Sequence, residues 1–257
     1  MAQIWDLYLR AGDYPLVGRV FAEAFGPDFP ADAQPFSFVT VGELAEMAGH
    51  LALGESDLLA DLGCGRGGPG LWMTQRFGCR LVGIDLSQTG IDAATAHADT
   101  LGLGDRCEFR RASATATGLA DASVAGVLSI DTLFFVPDKH AAAREIARIL
   151  RPGGCFAITT WDVAEDLPVI DPVLDSIQVA DHRPLLEDAG LIVERYRESS
   201  GWKERSRRVY ERVLADEPLL RRELGDELAA LWIGEARLQL PRLDQAKRVV
   251  MLGRSPQ

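Results

Sequence analysis

The chain has 257 residues, 47% of them apolar and 25% charged, a balance that suits one large α/β domain and excludes a disordered polymer. The formal net charge of −11, with nine acids against two arginines in residues 1–60, repels phosphate backbones and anionic lipid, so no nucleic-acid or membrane partner is expected. No apolar run approaches the roughly 18 residues of a transmembrane helix, and Met1-Ala2-Gln3-Ile4-Trp5-Asp6 lacks a signal-peptide pattern, so a cytoplasmic location is expected. Cys64, Cys79, Cys107 and Cys155 are scattered, as are His50, His97, His140 and His182. None forms a C-x-x-C or H-x-x-H pair, and no metal site or disulfide framework is expected.

In chain order, residues 1–35 are mixed, with one amphipathic helical piece from Leu16 to Phe25. Thr40-Val41-Gly42-Glu43 has the form of a capping box, and Leu44, Met47, Ala48 and Leu51 follow at helical spacing. Leu58–Leu62 reads as a strand, followed by a glycine loop and a helix that ends at Gly78. Arg80–Asp85 is a second strand, and Ser87 caps a helix with Gly102 just past its end. Further strands are expected at Arg106–Arg110, Val124–Ile130 and Cys155–Thr160, with a helix from Asp138 to Leu150 stopped by Pro152-Gly153-Gly154. A helix near Arg183–Ala189 precedes a sixth strand that begins at Leu191. Two helical stretches divided by Pro218 fill residues 202–240, and Lys247–Gly253 is a last strand. Apolar strands alternating with helices predict a doubly wound, mostly parallel Rossmann-like sheet with a helical insert before the last strand. The ligand crevice of such a sheet lies at the strand carboxyl ends.

The loop Asp61-Leu62-Gly63-Cys64-Gly65-Arg66-Gly67-Gly68-Pro69-Gly70 satisfies G-x-G-x-x-G through Gly63, Gly65 and Gly68, between a strand and a helix. Asp85 ends the next strand, where an acid accepts hydrogen bonds from ribose hydroxyls. A fixed anion at Asp61 is a poor neighbour for a pyrophosphate and a good partner for an ammonium group. The loop therefore favours S-adenosylmethionine (SAM) over a nicotinamide dinucleotide.

Several stretches resemble motifs of the class I SAM-dependent methyltransferases of small-molecule type. Leu59 to Gly68 resembles the first motif and Gly83-Ile84-Asp85-Leu86-Ser87 the second. Leu119 to Val124 through Val136-Pro137-Asp138 resembles the fourth-strand region, and Leu150-Arg151-Pro152-Gly153-Gly154 the turn before the fifth strand. The resemblance covers about residues 40–200 and the last strand, and it implies a seven-stranded sheet whose last strand runs antiparallel. It places Asp61, Gly63 and Gly65 along the methionine part of SAM, Asp85 on both ribose hydroxyls and Leu86 against the adenine. The family's adenine-reading acid falls on Ser113, followed by Ala114; a hydroxyl bonds the amino group more weakly than a carboxylate. Ile130 and Asp131 flank the methionine chain and the acceptor.

Methyl transfer is an in-line displacement that needs alignment, and a hydroxyl or acidic carbon also needs a base. His182, preceded by Asp181, is the favoured candidate, with Asp131 next; His140, Asp162 and Asp181 also lie near strand ends. His50 and His97 belong to helices away from those ends. Trp202, Tyr210 and Trp232 supply aromatics for an acceptor pocket. The expected layout is an N-terminal helical segment over 1–39 that shares in the pocket, a SAM-binding core over 40–201, a helical lid over 202–240, and the core's last strand over 241–257. The expected activity is SAM-dependent methyl transfer to a small organic, biosynthetic acceptor by a monomer or homodimer. The alternatives are a cyclisation or other non-methylating step on the same fold, a non-catalytic binding protein, and an NAD(P)-dependent oxidoreductase.

Overall fold

The computed structural model describes residues 2–164 and 178–257. Its centre is a seven-stranded sheet of order β3-β2-β1-β4-β5-β7-β6. The strands are β1 (Leu58–Leu62), β2 (Arg80–Asp85), β3 (Cys107–Arg111), β4 (Val124–Ile130), β5 (Leu150–Val163), β6 (Ile192–Glu198) and β7 (Ala246–Arg254). β1 to β5 pair in parallel, and β7 lies antiparallel between β5 and β6. The strand order reverses between β1 and β4, which opens the crevice at their carboxyl ends.

Helices α1 (Ala2–Arg10), α2 (Pro15–Phe25) and α3 (Val41–Leu51) precede the sheet. Thr40 and Glu43 complete the reciprocal capping box at the start of α3. Helices α4 (Gly68–Phe77), α5 (Gln88–Thr100), α6 (Lys139–Ile149) and α7 (Arg183–Asp188) fill the crossovers. Two apolar clusters cover the faces of the sheet. One joins Leu62, Ile84, Val127 and Phe156 to Ile146 of α6; the other joins Leu59, Leu81, Leu128 and Val250 to Leu44 and Leu71.

Three local expectations are refined. Within the N-terminal helical segment a first helix, Ala2–Arg10, precedes the expected piece, which spans Pro15–Phe25. β5 extends beyond Cys155–Thr160 at both ends: Leu150 already pairs with Val124 across a bulge, and Val163 pairs with β7. The insert is three helices, α8 (Trp202–Ala215), α9 (Glu217–Leu224) and α10 (Asp226–Gln239). Pro218 sits in the first turn of α9, where its missing N–H costs nothing, and it starts that helix rather than merely dividing two. The further break falls at Gly225, whose φ of 81° favours glycine.

A third apolar cluster joins α2 to α8, α9 and α10 through Phe21, Val209, Leu224 and Trp232. This helical layer stands over the strand carboxyl ends. Among the described residues, no helix is long and apolar enough to cross a membrane.

Candidate active site

A cavity of about 740 Å³ opens at the strand carboxyl ends, within the range of small-molecule sites. One end is polar and built by the sheet; the other is aromatic and built by the helical layer.

At the polar end, the loop after β1 turns at Gly63 with φ of 74°. A Cβ there would lie 2.2 Å from the Thr132 side chain, so only glycine fits. At Gly68 a Cβ would lie 2.0 Å from the Ala33 carbonyl, which lets residues 33–34 press on the start of α4. Asp85 accepts the Gly65 N–H through Oδ2 and the Ser87 N–H through Oδ1, each at 2.8 Å, so its carboxylate is fixed beside the loop. Burial raises its pKa against those two hydrogen bonds. Asp61 is 3% exposed, and burial together with the charge of Asp85 pushes its pKa up to about 7. A buried and a part-buried acid at one end of a cavity form a receptor for a cation.

Leu86, Ser113, Ala114 and Ile130 also line the cavity, with Gly63 and Gly65. Ser113 is held in a local turn: its Oγ accepts the Thr115 N–H at 3.1 Å and lies 2.8 Å from Thr115 Oγ1. Leu86 is 40% exposed, an apolar side chain held out at the cavity edge.

The two base candidates fare differently from expectation. Asp131 lines the cavity, but its carboxylate is already engaged. It accepts from Phe38 N–H at 2.9 Å, Thr159 Oγ1 at 2.8 Å, Arg248 Nε at 3.0 Å and Arg248 Nη2 at 3.2 Å. Four bonds fill the acceptor capacity of a carboxylate. His182 is 1% exposed and is not among the residues lining the cavity. Its Nδ1 lies 2.7 Å from Asp162 Oδ1, Tyr196 Oη donates to Asp162 Oδ2 at 2.6 Å, and the His182 N–H donates to Tyr196 Oη. The partner of His182 is therefore Asp162, and its sequence neighbour Asp181 instead accepts the Arg183 N–H. His140 is exposed and also outside the lining.

The aromatic end is richer than the sequence suggested. Trp202 and Tyr210 line it, whereas Trp232 packs behind, stacked on Tyr8 at 5.1 Å between ring centroids. Trp5 and Tyr8 from α1, with Phe36 and Phe38 from the following loop, supply the rest. Helix α1 is latched at both sides: Asp6 accepts from Ser87 Oγ and the Thr89 N–H, and Arg66 donates to the Leu9 carbonyl and to Asp13. Lys139, buried and with its pKa lowered to about 8 by desolvation, donates to the carbonyls of Phe134 and Val136 and so fixes another wall. Glu235 of α10 lines the same end, and no sequence signal singled it out. Among the described residues, no cluster of His, Cys, Asp or Glu is placed to hold a metal ion.

The seven-stranded, mostly parallel sheet of this order, with an acid-flanked glycine loop at its crevice, is a Rossmann-like fold. Residues 60–158 match the family described as a methyltransferase domain. Methyltransferase GfsG of Streptomyces halstedii is 28% identical over 160 residues, which cover 61% of this chain and 56% of that protein. The 27-O-demethylrifamycin SV methyltransferase of Amycolatopsis mediterranei is 35% identical over 112 residues, 44% of this chain and 41% of the relative. The chain thus matches about half or less of the length of these curated relatives. Among solved structures, the [4+2]-cyclase SpnF superposes with a TM-score of 0.78 at 23% identity, covering 99% of this chain and 94% of that one. Geranyl diphosphate methyltransferase in complex with SAM gives 0.65 at 20% identity, covering 84% and 85%. At such identities the structural likeness concerns the fold.

Proposed function

We propose that the chain transfers the methyl group of SAM to a small, largely apolar organic acceptor. The observation that carries this reading is the two-ended cavity, with two acids and a glycine loop at one end and aromatic rings at the other. The residues present fit SAM. Asp61 faces its ammonium group, which relieves the cost of a buried carboxylate. Gly63 and Gly65 let the methionine part approach the main chain, and Ile130 flanks it. Asp85, already oriented by two backbone N–H groups, accepts from the ribose hydroxyls. Leu86 and Ala114 cover the adenine, and Ser113 meets its amino group. When bound, SAM supplies an electrophilic methyl on a sulfonium, and the protein's task is alignment and exclusion of water.

Residues 1–39 and 202–240 wall the acceptor end and choose the acceptor. Neither His182 nor Asp131 serves as a base in this reading: one lies outside the cavity and the other is saturated. Asp131 acts instead as a positioning residue, because its bond to the Phe38 N–H holds that ring in the acceptor wall. The chemistry of the relatives supports a biosynthetic acceptor: one is named for a rifamycin derivative and another for geranyl diphosphate.

The test has two arms. Calorimetry should show SAM binding, and turnover of an extract-derived acceptor should release S-adenosylhomocysteine with a gain of one methylene unit in the product. Product formation with SAM bound but unconsumed would instead support a non-methylating step such as cyclisation. Absence of SAM binding would overturn the proposal.

A further inference from the structure

The helical layer brings a cation to the acceptor end of the cavity. Leu231, Glu235, Gln239 and Arg242 recur at helical spacing, so α10 and the 3-10 turn after it (Leu240–Gln245) present them along one face, and all four line the cavity. Arg242 is half-buried, and among the described residues it has no hydrogen-bond or ion-pair partner. The acids nearest to it in sequence are engaged elsewhere. Asp244 accepts from Lys203 Nζ at 3.0 Å. Glu235, about 10 Å back along the helix axis, accepts from the Tyr8 and Tyr210 phenols. Arg66 also lines the cavity, but its guanidinium is committed to the Leu9 carbonyl and to Asp13. A guanidinium stays protonated in a protein, so Arg242 keeps a positive charge and its N–H donors at the cavity wall, beside the apolar Leu243 and Ala246.

We propose that Arg242 determines specificity by anchoring a carboxylate on an otherwise apolar acceptor, an inference that rests on the methyl-transfer reading above for the ligand's role as acceptor. A guanidinium meets a carboxylate through two parallel N–H···O bonds, a geometry that fixes direction as well as position. Aromatic walls hold an apolar body but do not set which of its ends faces the methyl group. One ion pair at the helical layer, opposite the glycine loop, sets it. The carboxylate is therefore the anchor and a different atom of the acceptor receives the methyl. The charges favour a monoanion over a phosphate or diphosphate. One uncommitted guanidinium balances one negative charge, and in a chain of net charge −11 a second negative charge on the ligand meets repulsion. A cationic acceptor would be repelled by Arg242 itself.

The test uses the full chain and two probes of nearly equal shape, 2-naphthylacetate and its neutral amide, 2-naphthylacetamide, with affinities measured by calorimetry. The unaltered protein should bind the carboxylate about 10- to 100-fold more tightly than the amide. In Arg242→Gln the carboxylate should fall to within about threefold of the amide, while the affinity for the amide stays within about threefold of its original value. A preference that survives in Arg242→Gln, or failure of the unaltered protein to bind 2-naphthylacetate, would overturn the assignment. Where the variant does not fold, the unaltered protein still decides: equal affinity for the two probes would refute a carboxylate anchor. Tighter binding of 2-naphthyl phosphate than of 2-naphthylacetate would refute the monoanion. These readouts need no methyl transfer. If SAM fails to bind while the carboxylate preference depends on Arg242, the methyl-transfer reading falls and the anion site stands. If SAM binds and is consumed while the preference is absent, the anchor alone falls.

Discussion

Arg248 Nε and Nη2 lie 3.0 and 3.2 Å from the two carboxylate oxygens of Asp131, joining β7 to the residue that follows β4. Arg248 is fully buried, and its Nη1 also donates to both oxygens of Glu43 at 2.9 Å and to Ser199 Oγ. Burial pushes the carboxyl of Glu43 up, but the Arg248 charge and the hydrogen bonds from Ser199 and Thr40 prevail and hold it below the usual range. One guanidinium thus serves two buried carboxylates, one of which also completes the capping box of α3. Removing it leaves both acids without their cation. Arg248→Met should destabilise the protein by about 3–5 kcal/mol, measured by denaturant unfolding. Arg248→Lys should recover little of this, since one ammonium cannot reproduce the fork geometry. A loss under about 1 kcal/mol for either variant would show that the acids are satisfied without Arg248.

The pH dependence of SAM binding follows from Asp61. Its pKa of about 7 in the folded, ligand-free protein lies above the ordinary 3.8, so its burial favours the protonated form. That contribution to stability is full below the ordinary value and is lost as pH rises through about 7. A bound ammonium reverses the preference and drives the proton off. SAM affinity should therefore rise as pH is raised from about 5 toward 7, by up to about tenfold per unit. Calorimetry in buffers of different ionisation heat should detect proton release on binding. Flat affinity with no proton exchange would show that Asp61 does not meet the cation.

Asp85 carries the ribose in the proposed pose. Two charge-assisted hydrogen bonds, each worth about 1.5–3 kcal/mol, are at stake. Asp85→Ala should weaken SAM by roughly one to four decades. Because Asp85 also accepts the Gly65 and Ser87 N–H groups, the variant's melting temperature must be followed alongside. Unchanged SAM affinity in a folded variant would remove Asp85 from the site.

Much of this architecture was legible because local signals and tertiary structure agree. The capping residues Thr40, Ser87 and Asp138 all accept the backbone N–H their positions imply. β1, β2 and β4 are mostly apolar because both faces of the sheet are covered. The polar end of the cavity was legible for the same reason, since Gly63, Gly65 and Asp85 sit at fixed offsets from two strands. At the acceptor end only Trp202 and Tyr210 were legible. Tyr8, Phe38 and Glu235 come from three further segments, and only packing brings them there. The surroundings of His182 and Asp131 were not legible for a related reason. Position after a strand places a residue near the crevice, but it does not say whether Asp162 or Arg248 will claim the side chain first.

His182 gives the sharpest contrast between position and environment. As a general base it would lie in the cavity, and its loss would reduce turnover by about 10²–10⁴-fold. The structure instead places it among Asp162 and Tyr196, with Nδ1 on the Asp162 carboxylate. Its ring helps satisfy that buried acid and ties the start of α7 to β5. His182→Ala leaves Asp162 with Tyr196 alone among these two partners and opens a small void. The expected cost is about 1–3 kcal/mol of stability, the penalty of a buried polar group deprived of a partner. SAM affinity should change by less than about threefold in the folded variant, because the cavity lining does not include this ring. Asp162→Asn should be a milder lesion, since an amide keeps one acceptor for Tyr196 or His182. A His182→Ala protein of unaltered stability and SAM affinity that loses turnover would place the ring at the acceptor after all.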